Sequence, residues 1–531
     1  MTPALAHAVL GATALVLALL LPFAAHRTYL LRLASRRRSV ERTPWEESSL
    51  PVVTVQLPVY NELPVVERLI DAACALDYPR DRLEIQVLDD STDATVEVAA
   101  RCVARWRARG VDVQHVRRPE RTGYKAGALA HGAARARGDF FLVLDADFVA
   151  PPGLIRALLP PFRDDRVGMV QARWDHLNPD ENWLTRGQSL LLDGHFLFEQ
   201  GGRWAGERFF NFNGTAGMWR RSCIEDAGGW EHDTLTEDLD LSYRAQMAGW
   251  RFEYLDDVAV PAEIPSTVTA LEVQQRRWAK GGVQTARKVL PRLLAGPWPL
   301  RVKAEAVVHL LGHVAHPLTL LLGLLLLPAE LARQSLGIDR FLWLDLGVFG
   351  AATVPFLVFY AAAGARRGRP RRWLLRSVPQ TLAVGIGLSA AVSRAVVSGL
   401  VGPRDTRFVR TPKKGGLPRS VYQPRRLRAD LLAKLALGGV QLGYAAVALT
   451  AGFWGTLPFV VLFAAGYLGL GVGELRELRR ARRSLPLLDR VHDEQRPHGE
   501  PQREPRPERL RPDTGLVVGL EAPVAEEYEP A

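Results

Sequence analysis

Between residues 52 and 260 short apolar runs alternate with segments of helical periodicity, and five longer stretches elsewhere carry few charges. Runs of about four to eight apolar residues pack as buried strands, whereas apolar positions three and four apart line one helix face. The alternating region therefore predicts strands at 52–57, 84–88, 111–116, 140–144 and 167–172. Helices are expected at 63–76, 92–109, 125–137, 182–200, 237–248 and 270–289. Such alternation is the pattern of a mostly parallel sheet with helices on both faces, an α/β fold.

The longer stretches lie near 8–25, 305–327, 343–363, 376–401 and 431–471. About twenty apolar residues suffice to cross hydrocarbon, so an α-helical transmembrane bundle is expected beside the α/β domain. The formal charge of +11 fits this picture, because Arg32–Arg42, Arg366–Arg372, Arg404–Arg428 and Arg476–Arg483 flank the apolar runs, as cytoplasmic borders do. A nucleic-acid binder would gather its Lys and Arg on the soluble region instead, so no nucleic-acid partner is expected.

No Lys or Arg precedes the first run, and Arg27, Arg32, Arg36, Arg37 and Arg38 follow it. This predicts an uncleaved span with an outside amino terminus, in a multi-pass protein of the plasma membrane whose residues 42–300 are cytoplasmic. Segments 306–327 and 341–363 then cross out and back. A crossing at 376–401 would export the basic loop 404–428, so that segment, with Gln380, Ser389, Ser393 and Arg394, is expected to lie along the inner interface. Segments 431–449 and 456–470 complete five spans. The expected divisions are 1–41 (first span and basic flank), 42–300 (catalytic domain), 301–364 (two spans), 365–429 (interfacial helix and basic loop), 430–472 (two spans) and 473–531 (tail). The tail beyond 484 is rich in Pro, Glu and Arg and lacks the apolar residues for a core. Cys74, Cys102 and Cys223 have no metal-ligand spacing and are expected to be reduced core residues.

Candidate chemistry clusters where strands end. Phe140–Leu144 runs into Asp145-Ala146-Asp147, and ligands of open α/β sheets settle outside the carboxyl ends of strands. Two carboxylates there make a hard, oxygen-rich site suited to Mg²⁺ or Mn²⁺ carrying a diphosphate. Asp89-Asp90 likewise ends a strand and starts a helix. Thr236-Glu237-Asp238 opens another, where Thr236 is a candidate cap and the carboxylates suit the positive helix end. Lys125 begins a helix after Thr122-Gly123-Tyr124, a fair place to meet phosphate. Gln274-Gln275-Arg276-Arg277-Trp278 puts amide, guanidinium and indole on neighbouring turns. His309, His313 and His316 are spaced to share one face of a span.

In order, Asp89/Asp90, Asp145-x-Asp147, Thr236-Glu237-Asp238 and Gln274-x-x-Arg277-Trp278 resemble the D, D-x-D, T-E-D, Q-x-x-R-W series of processive family-2 glycosyltransferases. The match is with the cellulose-synthase-like branch that includes glucomannan (mannan) synthases. Pro58-Val59-Tyr60-Asn61-Glu62, Lys125-Ala126-Gly127-Ala128-Leu129 and Phe212-Asn213-Gly214-Thr215 match as well, so that the resemblance covers about residues 50–420. It implies a GT-A domain in which Tyr60, Glu62, Asp89, Asp90, Lys125 and Asp145 hold the nucleotide sugar, and Asp145 and Asp147 bind Mg²⁺ or Mn²⁺. Asp238, beside Glu237, would be the general base of an inverting transfer. Phe212, Asn213, Gly214 and Thr215 stand where the family has its acceptor loop, and Gln274, Arg277 and Trp278 would grip the acceptor, with contact to the diphosphate an alternative for Arg277.

Phe408-Val409-Arg410-Thr411-Pro412-Lys413 is similar to the gating loop of bacterial cellulose synthase, with Arg410 in place of Val. As a basic loop it also suits anionic membrane lipid. The implied enzyme is a hexosyltransferase extending a β-linked glucan- or mannan-type polysaccharide from a GDP- or UDP-hexose, and translocating it. Two alternatives are addition of one sugar to a lipid, as in ceramide glucosyltransferases, and a non-catalytic membrane scaffold. No cyclic-dinucleotide-binding module is recognisable after the spans.

Overall fold

A computed structural model gives the fold for residues 1–36, 38–338, 342–402, 408–415 and 428–494. Helix α1 (Pro3–Ala34) precedes β1 (Val53–Val59), α2 (Val66–Cys74), β2 (Leu83–Asp89), α3 (Thr95–Arg107), β3 (Val113–Val116), α4 (Tyr124–Ala133) and β4 (Phe140–Val143). There follow α5 (Leu154–Leu158), β5 (Val167–His176), α6 (Trp183–Gly194), α7 (Gly201–Ala205), β6 (Gly217–Arg220), α8 (Arg221–Asp226), α9 (Glu237–Met247) and β7 (Arg251–Ala262). The carboxyl-terminal part is helical: α10 (Val268–Ala295), α11 (Leu300–Leu310), α12 (Ala315–Ser335), α13 (Leu342–Arg366), α14 (Arg371–Val401), α15 (Arg428–Ala451) and α16 (Leu457–Glu494).

The seven strands form one sheet in the order β3-β2-β1-β4-β6-β5-β7. Pairings β1/β2, β2/β3, β1/β4 and β5/β7 are parallel, whereas β6 runs antiparallel between β4 and β5. Both faces are covered, which explains the continuous apolar run of β4, whereas β1 and β2 alternate and their buried polar residues bond across the pair, Thr54 to Glu84 at 2.6 Å and Gln56 to Gln86 at 3.2 Å. On one face Val55, Ile85 and Leu142 pack against Leu69, Ile70, Ala99 and Val103. On the other, Phe141, Val143 and Trp219 pack against Leu129, Leu241 and Ala245. Cys74, Cys102 and Cys223 are free and buried.

Three local expectations give way. β6 is four residues of mixed character, and β7 carries Glu253, Asp256 and Asp257, so neither reads as an apolar strand. Distant partners answer those charges: Arg38 pairs with Glu253 at 3.0 Å, Arg42 with Asp257 at 2.8 Å and Arg366 with Asp256 at 2.5 Å. The segment expected to be one helix over 182–200 widens to a π-helical stretch at His195–Gln200 before α7. The segment 306–327 breaks around Gly312, so His309 on α11 and His316 on α12 do not share one helix face. His309 Nδ1 instead meets the Tyr243 hydroxyl at 2.9 Å, while the rings of His313 and His316 stack 5.9 Å apart.

Among the described residues, five helical stretches are long and apolar enough to cross a membrane: Pro3–Ala34, Gly312–Ser335, Arg371–Val401, Ala429–Ala451 and Leu457–Arg480. α13 is a further helix of 25 residues. α14 is special in that both of its ends touch the α/β domain. Near its start Trp373 Nε1 donates to Asp180 at 3.2 Å, and at its finish the carbonyls of Gly399 and Gly402 accept from Arg287 of α10 at 2.9 and 3.0 Å. Between them Val384, Leu388, Val392 and Val396 form one apolar core with Leu184, Val268, Leu271, Ala279 and Val283 of α6 and α10. Residues 403–407, 416–427 and 495–531 lie outside the described residues, so most of the basic cluster Arg404–Arg428 and most of the tail do as well.

Candidate active site

One cavity opens at the carboxyl ends of β1, β2, β4 and β5, with about 1280 Å³ of free space including its mouth. Among its lining residues are Tyr60, Glu62, Asp90, Lys125, Asp145, Asp147, Asn213, Gly214, Glu237, Asp238, Gln274, Arg277 and Trp278. Phe408, Arg410, Thr411 and Lys413 enter it from the segment after α14. Positions spread over some 350 residues of sequence thus meet in one place.

Each side chain is set by a local cause. Thr215 Oγ1 accepts the Asp145 N–H at 2.9 Å and so fixes the start of the carboxylate pair. Lys125 Nζ lies 2.5 Å from Asp145 Oδ1 and 2.8 Å from the Gly214 carbonyl, with Glu237 Oε1 at 4.0 Å. Burial pulls the Lys125 ammonium down, but Asp145 and Glu237 outweigh it, and its pKa is raised. Gly214 has φ +79°, and a Cβ there would stand 3.1 Å from Asp238 Oδ2 and 3.4 Å from Lys125 Nζ. The loop at 212–215 passes the Asp238 carboxylate this closely because Gly214 has no side chain.

Burial, with repulsion from Glu237, pushes Asp238 up to about 7 despite Lys125 and Arg277. Thr236 does not cap α9: its hydroxyl pairs with the Thr285 hydroxyl on α10 at 3.1 Å, tying the two helices together behind the carboxylates. Burial also raises Glu62, to about 8, although Arg410 Nη1 lies 3.4 Å from its Oε2. Lys413 Nζ stands 2.5 Å from Asp147 Oδ2.

An aromatic and cationic slot occupies the β1–β2 side. The Arg121 guanidinium lies 3.2 Å from the Tyr60 ring centroid, 4.8 Å from Tyr124 and 6.0 Å from Phe408. Arg277 covers Phe408 at 4.7 Å. Cation–π attraction thus holds Arg121 and Arg277 against the rings of Tyr60, Tyr124 and Phe408 on this side of the cavity. Asp90 faces this side and takes two bonds from Arg118, at 3.0 and 2.5 Å.

The family match follows this geometry. Residues 51–281 match the model described as Glycosyltransferase like family 2. They are a glycosyltransferase family 2 domain. Similar curated proteins include glucomannan 4-beta-mannosyltransferase 2 of Arabidopsis thaliana, 44% identical over 253 residues, covering 46% of this chain and 47% of that protein. Glucomannan 4-beta-mannosyltransferase 9 of the same plant is 36% identical over 361 residues, or 64% and 66%. The chain spans about half the length of the first such relatives, 47% and 56%. A solved mannosyltransferase from Pyrobaculum calidifontis, in complex with GDP-Man and Mn2+, covers 76% of this chain and 99% of its own at 22% identity and a TM-score of 0.46.

Within the family 2 domain, three sequence-predicted residues do not line the cavity. Asp89 is buried, accepting from His115 Nε2 and the Ser91 N–H at 2.8 Å each. Burial pushes it up, but those bonds prevail and hold it below the ordinary carboxylate range. Asp89 therefore shapes the strand end, and Asp90 is the member of the pair that lines the cavity. Phe212 is fully buried against Trp219, its ring centroid 5.6 Å away. Thr215 is fully buried behind Asp145. Their neighbour Asn213 does reach the cavity, its Oδ1 3.1 Å from His195 Nε2. Sequence reasoning missed Arg121, Trp174, His176 and Glu263, all lining residues. Glu263 receives the Lys414 and Gly415 N–H groups, at 2.6 and 2.9 Å, and so seats the 408–415 segment.

The donor set of Asp145 and Asp147 fits a hard divalent cation, and the structure shows each carboxylate already drawing positive charge, from Lys125 and Lys413 respectively. Among the described residues, the acidic trio spaced for a metal is Glu231, Asp233 and Asp240. Lys288 Nζ sits within that trio at 2.5, 2.6 and 3.1 Å, so its charge is met by the protein itself.

Proposed function

We propose that the chain is an inverting hexosyltransferase that extends a β-linked, mannan-type polysaccharide from a nucleotide-activated hexose. The observation that carries this reading is the meeting of Asp145, Asp147, Asp238, Arg277 and Trp278 in one cavity. The likeness to glucomannan 4-beta-mannosyltransferases supports a mannosyl donor, with GDP-mannose the first to test.

The chain's own residues account for the chemistry. Tyr60, Arg121 and Phe408 stack the base, and Asp145 and Asp147 would hold Mg²⁺ or Mn²⁺. A bound cation supplies charge stabilisation to the departing diphosphate. Asp238 takes the proton of the acceptor hydroxyl as that oxygen bonds to the anomeric carbon and the carbon–phosphate oxygen bond breaks. Attack and departure on opposite faces invert the anomeric configuration. Trp278 offers a ring to the acceptor sugar, and Arg277 places its cation between Asp238 and Phe408.

We infer a membrane path from the helices. At about 1.5 Å per residue, the 31-residue α14 extends about 46 Å, yet it is anchored to the α/β domain at both ends. These anchors support a course for α14 along the inner interface, with α12 leading out, α13 back, α15 out and α16 back. With α1 that makes five spans, a cytoplasmic catalytic domain in the plasma membrane, and a walled route for polar polymer across hydrocarbon.

The test is product analysis. Membrane vesicles carrying the full chain, given a radiolabelled panel of GDP- and UDP-hexoses with Mn²⁺ or Mg²⁺, should yield alkali-insoluble polymer cleaved by a β-mannanase. A single-sugar glycolipid as sole product would overturn the polymerase reading, and no turnover of any donor would overturn the transferase reading.

A further inference from the structure

We propose that His176 and Trp174 form a subsite for the hydroxyl groups of a pyranose ring, on the far side of the Asp145–Asp147 pair from the base slot. The proposal rests on the transferase reading above and names the residues that would read its sugar. The sheet order supplies the placement. Tyr60 and Asp90 follow β1 and β2, Asp145 and Asp147 follow β4, and Trp174 and His176 end β5, two strands beyond β4. A nucleotide sugar with its base at the first pair and its phosphates at the second therefore points its hexose toward the third.

The chemistry of this wall is that of a binding site. His176 lines the cavity with its side chain 3% exposed, and its Nε2 lies 3.2 Å from Asp193 Oδ1. A carboxylate accepts only, so Nε2 carries the hydrogen, and Nδ1 of the neutral ring is an acceptor. That Nδ1 is buried and has no partner among the described residues, and the same holds for the Trp174 Nε1 donor. Buried polar atoms are rarely left unpaired, and such exceptions call for a ligand or a functional reason. Sugar hydroxyls, which both accept and donate, answer the two atoms: a hydroxyl oxygen accepts the Trp174 N–H and a hydroxyl O–H donates to His176 Nδ1.

The framework is rigid. Trp174 is wedged between Phe148 and Phe196, each ring centroid 5.1 Å away. Asp193, which sets the His176 tautomer, is met by Arg367 at 3.4 Å, and Arg367 also binds Asp175 at the end of β5. Asp193 and Arg367 are thus positioning residues. Because Arg367 directly follows α13, the sugar wall is pinned to a membrane helix.

Gln places its amide where Nε2 stands, so His176→Gln keeps the bond to Asp193 and removes only the Nδ1 acceptor. Trp174→Phe removes only the indole N–H. Calorimetry on the full chain in detergent compares a nucleoside diphosphate, the matching nucleotide hexose and a β-linked oligosaccharide. Either variant should weaken the nucleotide hexose or the oligosaccharide by about tenfold, the value of one neutral hydrogen bond, and leave the nucleoside diphosphate within about twofold. Loss on the nucleotide hexose assigns the hydroxyl to the transferred unit, and loss on the oligosaccharide assigns it to the acceptor end. Equal weakening of all three ligands, or of none, would overturn the subsite. These are binding measurements, so they judge the subsite even if no donor is turned over, an outcome that would sink the transferase reading alone.

Discussion

Replacing Asp238 with Asn keeps the shape of the side chain and removes its basicity, which makes it the sharpest perturbation of the site. Burial beside Glu237 lifts this carboxyl from its ordinary value to about 7. Three pH units at about 1.4 kcal/mol each put the bias toward the neutral form at roughly 4 kcal/mol. Two consequences separate the base reading from a merely structural one. A positioned general base contributes roughly 10²- to 10⁴-fold, so Asp238→Asn should lower kcat by that factor and leave nucleoside diphosphate binding unchanged. The wild-type kcat/KM should climb about tenfold per pH unit toward pH 7 and level above it, because only the deprotonated form accepts a proton. The variant's residual rate should lack that acid limb.

A further consequence concerns stability. A carboxyl that holds its proton more tightly when folded loses nothing below its unfolded pKa near 4 and is penalised increasingly as pH rises to about 7. The Asn variant should therefore melt above the wild type at pH 8 and level with it at pH 4. Nucleoside diphosphate release across pH 5–9, paired with thermal melts, reads both effects. A variant that kept more than about a tenth of the turnover, or kept the acid limb, would refute Asp238 as the base.

Two other perturbations probe the site's surroundings. Lys413→Ala removes the ammonium 2.5 Å from Asp147, so Mn²⁺ binding without donor, followed by paramagnetic resonance, should tighten about tenfold while transfer slows; unchanged affinity would show that Lys413 does not compete for that carboxylate. Lys434 on α15 is buried against Glu272 and Glu474, 2.7 Å from the latter, so Lys434→Met should strand two acidic groups and cost roughly 3–5 kcal/mol, read as a large fall in melting temperature. A melt within a degree or two of wild type would mean that water reaches those carboxylates.

The sequence announced those elements whose physics is local. β4 is a continuous apolar run and β1 and β2 carry Val, Ile and Leu at every second position, and the predicted bounds of all three differ from the observed by only one or two residues. The acidic pair after β4 and the Gln274–Trp278 turn were legible because several chemical groups sit at fixed spacing on predictable elements. What escaped depended on tertiary partners. β7 keeps its charges because Arg38, Arg42 and Arg366 arrive from elsewhere in the chain. Asp89 and Asp90 are neighbours of one type, and only the position of His115 on β3 decides which of them turns inward. Arg121, Trp174 and His176 stand outside any motif, and no local signal marks them. The break that parts the three histidines does have a local mark, Gly312 with Pro317 five residues on, but the apolar residues around them read as one span.

The shared core of α6, α10 and α14 has a practical corollary. A fragment cut after α10 would present Leu271, Ala279 and Val283 to water, lose the Glu477 carboxylate that accepts the Val268 N–H at 2.7 Å, and leave Glu272 without its lysine. The helix bearing Arg277 and Trp278 owes its seat to segments far downstream. Excising the lobe for easier handling would yield a polypeptide with half a binding wall, and inactivity of such a piece would say nothing about the intact catalyst.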